Sequence, residues 1–469
     1  MKSLYDELKK YSEKGIYSCH MPGHKGRGVG VMPAEYASID QTEAEGLDDL
    51  HDPQGIIKEA ESFAGRVLGS DETHFLINGS TAGILAAVLS SVRPGGKLVL
   101  CRGCHKSAYN AMQLANIRPG YIFPELLKDP LMEEAANAGD VRKVLDENPD
   151  ADAVLIVSPT YEGRLSDIRS IADEVHKLQI PLIVDEAHGA HLSFVKNSPS
   201  DAIRCGADVV IQSVHKTLPA PTQTALISVK GKLANREKIR RYLSVFQSSS
   251  PSYPLMAMID GCMRYMSENS GELIPSFFRD FEKMTKRLSG CDKLYIRPSS
   301  EDLSLGRADY GKLLICTDRS DIDGAILAGI LRNEYLTEPE MVTPDHVLLM
   351  FTVCDTKAAF DKVSDAVLGI DKKISGAGKK QSVSYEVPRP VQVMSLKDAF
   401  EAEYEECELK NAAGRVSTEI ICMYPPGSPI LAPGEEICEK HILILEEYLA
   451  RGMNIKGIRD NKVKVVKNG

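Results

Sequence analysis

Five short apolar runs punctuate the stretch from about Thr73 to Val229: Lys97–Cys101, Ala153–Ser158, Pro181–Asp185, Asp208–Gln212 and Thr224–Val229. They are rich in Val, Ile and Leu and lack the alternation of a half-exposed strand. Each therefore predicts a strand buried on both faces. Between two of them, Asp167–Gln179 places Ile168, Ile171, Ala172, Val175 and Leu178 at helical spacing, with Ser166 positioned as the N-cap. Strands alternating with amphipathic helices predict an α/β fold built on a mostly parallel sheet covered by helices. Ligands of such sheets collect at the carboxyl ends of the strands. The polar residues that follow each run are the ones to inspect.

The pattern changes further along. Lys312–Thr317 and Val347–Val353 predict strands, and Ile322 to Arg332 predicts a helix, which together read as a small α+β domain. Asp371–Pro388 contains Lys372-Lys373, Ser375-Gly376-Ala377-Gly378 and Lys379-Lys380 and reads as an exposed linker. A last segment opens with a helix near Ser395 and reads as a C-terminal α+β domain. The expected division is an N-terminal arm and loop over 1–60, a major domain over 61–290, the small domain over 291–370, the linker over 371–388 and the C-terminal domain over 389–469.

Composition narrows the function. The chain has 469 residues, more than one ordinary domain, and a net charge of −10. An acidic balance argues against a nucleic-acid coat and a basic membrane-surface protein. Trp is absent, which argues against a base-stacking platform. The first ten residues carry no apolar core, and no stretch approaches the ~20 apolar residues of a membrane span. Eleven Cys, an odd count scattered through apolar runs, read as free thiols in a reducing compartment. The expectation is a soluble, cytoplasmic protein with neither a nucleic-acid nor a membrane partner.

The chemistry stands at the strand ends. Asp185-Glu186-Ala187-His188-Gly189-Ala190-His191 follows one apolar run, and Ser213-Val214-His215-Lys216-Thr217-Leu218-Pro219 follows another. An Asp and a Lys on neighbouring strand ends are what pyridoxal phosphate (PLP) requires. The Lys amine condenses with the aldehyde, and the carboxylate keeps the pyridine nitrogen protonated so that the ring accepts electrons. Taken singly, Asp185 reads as a loop carboxylate and Lys216 as a surface lysine; the pair is what points to PLP. Asn78-Gly79-Ser80-Thr81-Ala82-Gly83 precedes a helix over Ile84–Val92 and supplies the hydroxyls and amide N–H groups of a phosphate cup. Cys101-Arg102-Gly103-Cys104-His105 spells a c-type haem attachment pattern. Without an export signal it does not read as one, and no second half-site supports zinc. His105 is better placed to stack on a flat cofactor ring. His20-Met21-Pro22-Gly23-His24-Lys25-Gly26 offers too few ligands for a metal, and no strand precedes its glycines. No metal site is expected.

These stretches, with Leu47–Pro53 (LDDLHDP), Cys104–Ser107 (CHKS), Ser250–Tyr253 (SPSY) and Tyr424–Gly434 (YPPGSPILAPG), resemble the ornithine/lysine/arginine decarboxylase family. Its members are fold-type I PLP enzymes of the aspartate aminotransferase superfamily. The chain begins close to H-x-P-G-H and so resembles the short form. The resemblance implies Lys216 as the PLP-holding lysine and His215 beside it as a contact to phosphate or substrate carboxylate. It implies Asp185 at the ring nitrogen, Ala187 on the ring face opposite His105, and Ser80, Thr81 and Ser213 at the phosphate. The implied reaction is decarboxylation of a basic L-amino acid, arginine slightly favoured over lysine or ornithine, in polyamine biosynthesis. The alternative is another fold-type I reaction such as transamination or aldol cleavage. The resemblance also implies a homodimer or higher homo-oligomer whose sites a second subunit completes. Pro221 and His188 depart from the family pattern; large members carry a Trp where His188 stands. Candidates for substrate contact are His24, Asp49 and Glu419, with Asp48 beside them.

Overall fold

Val, Ile and Leu at consecutive positions leave a strand no solvent face. In the computed structural model the runs that carry them are strands of a seven-stranded, mostly parallel sheet flanked by helices. The structure describes residues 3–128, 131–195, 201–376 and 387–467. The seven strands are β1 (Glu72–Leu76), β2 (Lys97–Cys101), β3 (Arg118–Ile122), β4 (Ala153–Val157), β5 (Leu182–Asp185), β6 (Val209–Ser213) and β7 (Ala225–Val229). The chain divides into two compact units, Met1–Ser91 with Asp167–Pro275, and Val92–Ser166 with Ser276–Gly469.

The first unit holds the strand order β1-β7-β6-β5. β5 and β6 run parallel, whereas β7 runs antiparallel to both β6 and β1. The helix Gly79–Ser91 packs on this part of the sheet. Gly83 permits the close approach: a Cβ there would lie 2.7 Å from Leu76 Cδ1 and 3.1 Å from Ile211 Cγ2. Two local expectations are corrected. Asp167, not Ser166, caps the helix Ile168–His176, its Oδ1 accepting from Ser170 N at 3.1 Å, while Ser166 N donates to Ser158 Oγ. Leu178 lies beyond that helix and is exposed. β6 starts at Val209, and the Asp208 carboxylate just before it accepts from Leu182 N at 2.9 Å and His176 Nε2 at 2.8 Å.

The second unit contributes β4-β2-β3, all parallel. It also holds a four-stranded antiparallel sheet in the order Tyr295–Arg297, Lys312–Cys316, His346–Met350, Met341–Val342. Helices Gly324–Tyr335 and Lys357–Lys373 contribute Leu327, Leu331, Phe360 and Ile370 to the core beside it. A separate core gathers Leu409, Leu431, Ile437, Leu445 and Val465 from the C-terminal segment, which carries two small sheets and the helix Glu439–Ala450. Asp371, Lys372 and Lys373 form the end of the helix Lys357–Lys373 rather than the opening of a loop, and the Asp371 carboxylate accepts from the backbone N–H of Asp292, Lys293 and Leu294. Residues 377–386 of the expected linker lie outside the described residues. Among the described residues no helix is long and apolar enough to cross a membrane.

Candidate active site

Parallel pairing of β5 with β6 sets two carboxyl ends side by side, with Asp185 opposite Ile211. Asp185 closes β5, and β6 runs straight into the single helical turn Val214–Thr217 that carries His215 and Lys216. Asp185 is buried, and its Oδ1 accepts from Ala187 N at 3.1 Å. Burial pushes its carboxyl above the ordinary Asp value; the Lys216 charge and the Ala187 N–H pull it back. Lys216 Nζ lies 3.0 Å from His188 Nε2. The His215 ring donates from Nδ1 to Thr224 O at 2.9 Å, a carbonyl being only an acceptor. Burial lowers the His215 pKa, with the Lys216 charge acting in the same direction.

Ser80 and Ser213 meet hydroxyl to hydroxyl at 2.7 Å. Ser80 stands in the first turn of the 13-residue helix Gly79–Ser91, where free N–H groups and the helix dipole favour an anion. Gly79 adopts φ +69 and donates its N–H to Gln223 O at 2.9 Å, which pins the turn. Thr81 is exposed in the same turn. An amine, a buried carboxylate and a hydroxyl pair at a helix N-terminus match the three polar poles of PLP: aldehyde, ring nitrogen and phosphate. The donor set fits that cofactor.

The remaining motifs of this unit are tied together. Tyr253 Oη donates to Asp48 O at 2.5 Å, and His51 Nε2 to Ser248 O at 2.9 Å, so the LDDLHDP and SPSY stretches meet. Asp48 adopts φ +66, and its carboxylate accepts from the N–H groups of Asp49, Gln54, Gly55, Ile57 and Lys58. It organises the loop and the start of the helix Ile56–Leu68. Asp49 accepts from His51 N at 2.8 Å. His24 Nε2 lies 3.1 Å from Asp40 Oδ2, and its Nδ1 accepts from Gly26 N.

The second unit joins two motifs that are far apart in the chain. Arg102 forms a bidentate pair with Glu435, Nη1 to Oε1 at 2.6 Å and Nη2 to Oε2 at 2.8 Å, and also donates to Ile430 O. Both side chains are buried, at 7% and 0% exposure. Ser428 Oγ donates to Gly103 O at 2.7 Å, and a Cβ on Gly427 would lie 3.5 Å from the His105 ring. The CHKS and YPPGSPILAPG stretches therefore pack on each other. His105 caps the helix Lys106–Leu114, its Nδ1 accepting from Ser107. Glu419 is paired with Lys464 at 2.6 Å. A cavity of about 240 Å³ opens beside Arg102, lined also by Tyr161, Glu162, Glu133 and Tyr448. Burial, aided by the Glu162 charge, pushes the Glu133 carboxyl up to about 7.

Removing one partner of a buried ion pair strands the other charge, at a cost of about 3–5 kcal/mol. Arg102→Ala should lower stability in denaturant titration by that amount. Replacing Arg102 and Glu435 together by Met and Leu should restore much of it.

Sequence reasoning did not find the Lys216–His188 contact, the Arg102–Glu435 pair or the support beneath Asp185. That support is Glu186, fully buried, which accepts from Ala202 N at 3.1 Å and Gln212 Nε2 at 2.5 Å. The one local signal was the departure at His188 itself.

Residues 2–300 match the model of the Orn/Lys/Arg decarboxylase major domain, and residues 379–455 match that of the family's C-terminal domain. The chain is 31% identical over 480 residues to an arginine decarboxylase of Bacillus subtilis, covering 99% of this chain and 97% of the relative. It is 24% identical over 549 residues to the inducible lysine decarboxylase of Escherichia coli, covering 94% and 76%. The lysine decarboxylase of Francisella novicida shares its fold, with a TM-score of 0.85 at 19% identity over 99% of this chain and 81% of that one. By the match of the major-domain model over more than half its length, the chain belongs to the Orn/Lys/Arg decarboxylase family, and that membership implies PLP as its cofactor.

Proposed function

We propose that the protein is a PLP-dependent decarboxylase of a basic L-amino acid, with arginine preferred over lysine and ornithine. The observation that carries the reading is the buried Asp185 carboxylate beside Lys216 at adjacent parallel strand ends. The preference for arginine follows the relatives: those named arginine decarboxylase align at about 31% identity along the whole chain, and lysine decarboxylases are more distant.

When bound, PLP supplies the electron sink for the pair left by departing CO₂. Lys216 would anchor it through its amine, Asp185 would keep its ring nitrogen protonated and Ala187 would pack on its ring. Ser80, Thr81 and Ser213, with the helix N-terminus, would hold its phosphate. His215 has Nδ1 fixed on Thr224 O and would contact phosphate or the substrate carboxylate through its other nitrogen. Lys216 or His215 returns a proton to Cα. His24 and Asp49 are this unit's candidates for substrate contact; Asp48, whose oxygens take five backbone N–H groups, is not one. We also propose a cytoplasmic homodimer acting in polyamine formation.

The test is CO₂ release by the PLP-loaded protein given arginine, lysine and ornithine side by side. One CO₂ per amine formed, with the highest kcat/KM for arginine, supports the reading. A 2-oxo acid, or an aldehyde, without CO₂ would establish transamination or aldol cleavage instead. A lysine or ornithine preference would overturn only the choice of substrate.

A further inference from the structure

The cavity beside Arg102 takes no part in the proposed reaction. It opens at the carboxyl ends of β2, β3 and β4: Arg102 and Gly103 follow β2, Phe123 follows β3, and Tyr161 and Glu162 come after β4. Open α/β sheets hold their ligands at these ends. At about 240 Å³ the cavity is smaller than the ~300–1,000 Å³ of ordinary ligand pockets, so it suits a group of a few heavy atoms.

Its charge is unbalanced. Three carboxylates line it, and Glu134 is matched by Arg164 in a bidentate pair with both contacts at 2.6 Å. Among the described residues neither Glu133 nor Glu162 makes a hydrogen bond or ion pair through its carboxylate. Glu133 Oε2 lies instead against the Gly103 backbone, where a Cβ would come within 2.4 Å of it. Glu162 acts on Glu133 as a like charge, and Arg102 acts in the opposite sense. Arg102 is already engaged, by both Glu435 oxygens and by Ile430 O. Two like charges at the wall of a cavity cost folding energy until a cation joins them.

The rest of the wall decides which kind of cation. Tyr161, Tyr448 and Phe123 line the same space, and Tyr161 Oη donates to Glu340, which fixes its ring. Aromatic faces attract organic cations. Two of these rings already take one from the protein, Arg389 over Phe123 at 4.9 Å and Lys312 over Tyr161 at 5.5 Å. Among the described residues no group of three or more His, Cys, Asp or Glu side chains could hold a metal ion. Two carboxylates do suffice for a guanidinium or an ammonium.

We propose that Glu133 and Glu162 make this cavity a binding site for a small organic cation, a guanidinium or alkylammonium group, held by the two carboxylates beside the Tyr161 and Tyr448 rings. Two sources share this chemistry: the distal group of a basic amino acid and a separately bound amine. The first rests on the decarboxylase reading; the site itself does not.

The probe is propylguanidinium, with neutral propylurea as its isostere. In calorimetric titration of the PLP-loaded protein above neutral pH, propylguanidinium should bind tighter than propylurea by about tenfold or more. Replacing Glu133→Gln and Glu162→Gln together should abolish that preference. The melting temperature of this variant should not fall, because two unmatched charges leave with the substitutions. Equal affinity for the two probes in the native protein, or an unchanged preference in the variant, would overturn the proposal. So would a preference lost only together with a lowered melting temperature, which marks a structural role. Should the double variant fail to fold, the single variants serve in the same comparison. Competitive inhibition of CO₂ release by propylguanidinium, with a raised KM for arginine and a nearly native kcat in the variant, assigns the site to the substrate's distal group. An effect on rate that leaves KM unchanged assigns it to a separate amine. The expected binding in a protein that releases no CO₂ from any basic amino acid refutes the decarboxylase reading and leaves the site standing.

Discussion

Lys216→Ala should leave no borohydride-reducible link to PLP and no measurable turnover. The amine acts on the buried Asp185 carboxylate and follows closely on Ser213, whose hydroxyl meets Ser80 in the first turn of a helix. Reduction followed by peptide mass mapping should find PLP on the peptide containing Lys216 in the native protein and on no peptide in the variant. Two effects of the substitution need separating. The variant loses the nucleophile, and it also removes the cation that offsets the burial of Asp185, so the Asp185 carboxyl should move further above its ordinary value. Lys216→Arg separates them, because it keeps a cation near Asp185 but cannot condense with an aldehyde under these conditions. If the Arg variant is as inactive as the Ala variant while binding PLP better, the covalent role accounts for the loss. A PLP adduct on another lysine at native levels would show that Lys216 is not the anchor.

The strand-end chemistry was legible because it is local. An apolar run followed by Asp-Glu-Ala-His, and another followed by Ser-Val-His-Lys, need only the rule that open α/β sheets work at their carboxyl ends. Strand direction was not legible. An apolar run such as Ala225–Val229 reads the same in either sense, and only the fold shows β7 antiparallel to its neighbours. Nor did composition separate Ser166 from Asp167 as a cap. Both residue types serve, and the choice fell to Asp167 once the Ser166 backbone was engaged with Ser158. The acidic candidates near the family motifs looked equivalent as letters. The fold sets Asp48 apart, its carboxylate taken up by five backbone N–H groups, whereas among the described residues the Asp49 and Glu419 carboxylates each have a single partner, His51 N and Lys464. Arg102 and Glu435 lie 333 positions apart, and no local pattern announces a pair at that separation. His188 was visible as a departure from the family pattern. Its contact with Lys216 depends on the turn after β5 and on the β5–β6 pairing, neither of which a single sequence displays.

Asp185→Asn should lower kcat/KM by about 10²- to 10⁴-fold while leaving PLP binding and the fold largely intact. The substitution is informative because it changes charge and little else. Asp185 Oδ1 accepts from Ala187 N, and an Asn carbonyl oxygen can accept the same bond, so the turn that carries Ala187 and His188 should hold its shape. What is lost is the negative charge that, on the proposed reading, would face the ring nitrogen. Burial already disfavours that charge and raises the Asp185 carboxyl above its ordinary value, and Lys216 and the Ala187 N–H offset part of the cost. A protonated ring nitrogen offsets it further, since each charge then has its partner. Breaking one side of such a buried pair costs about 3–5 kcal/mol. A loss of that size from the transition state alone gives the stated range of rates, at about 1.4 kcal/mol per tenfold. The loss should appear in kcat more than in KM, because the negative charge matters most when the ring takes up electrons. Asp185→Glu is the control: it keeps the charge on a longer arm and should fall between Asn and native. If the Asn variant retains activity within about tenfold of native with an unchanged melting curve, Asp185 is a structural residue of the turn and ring protonation has another source.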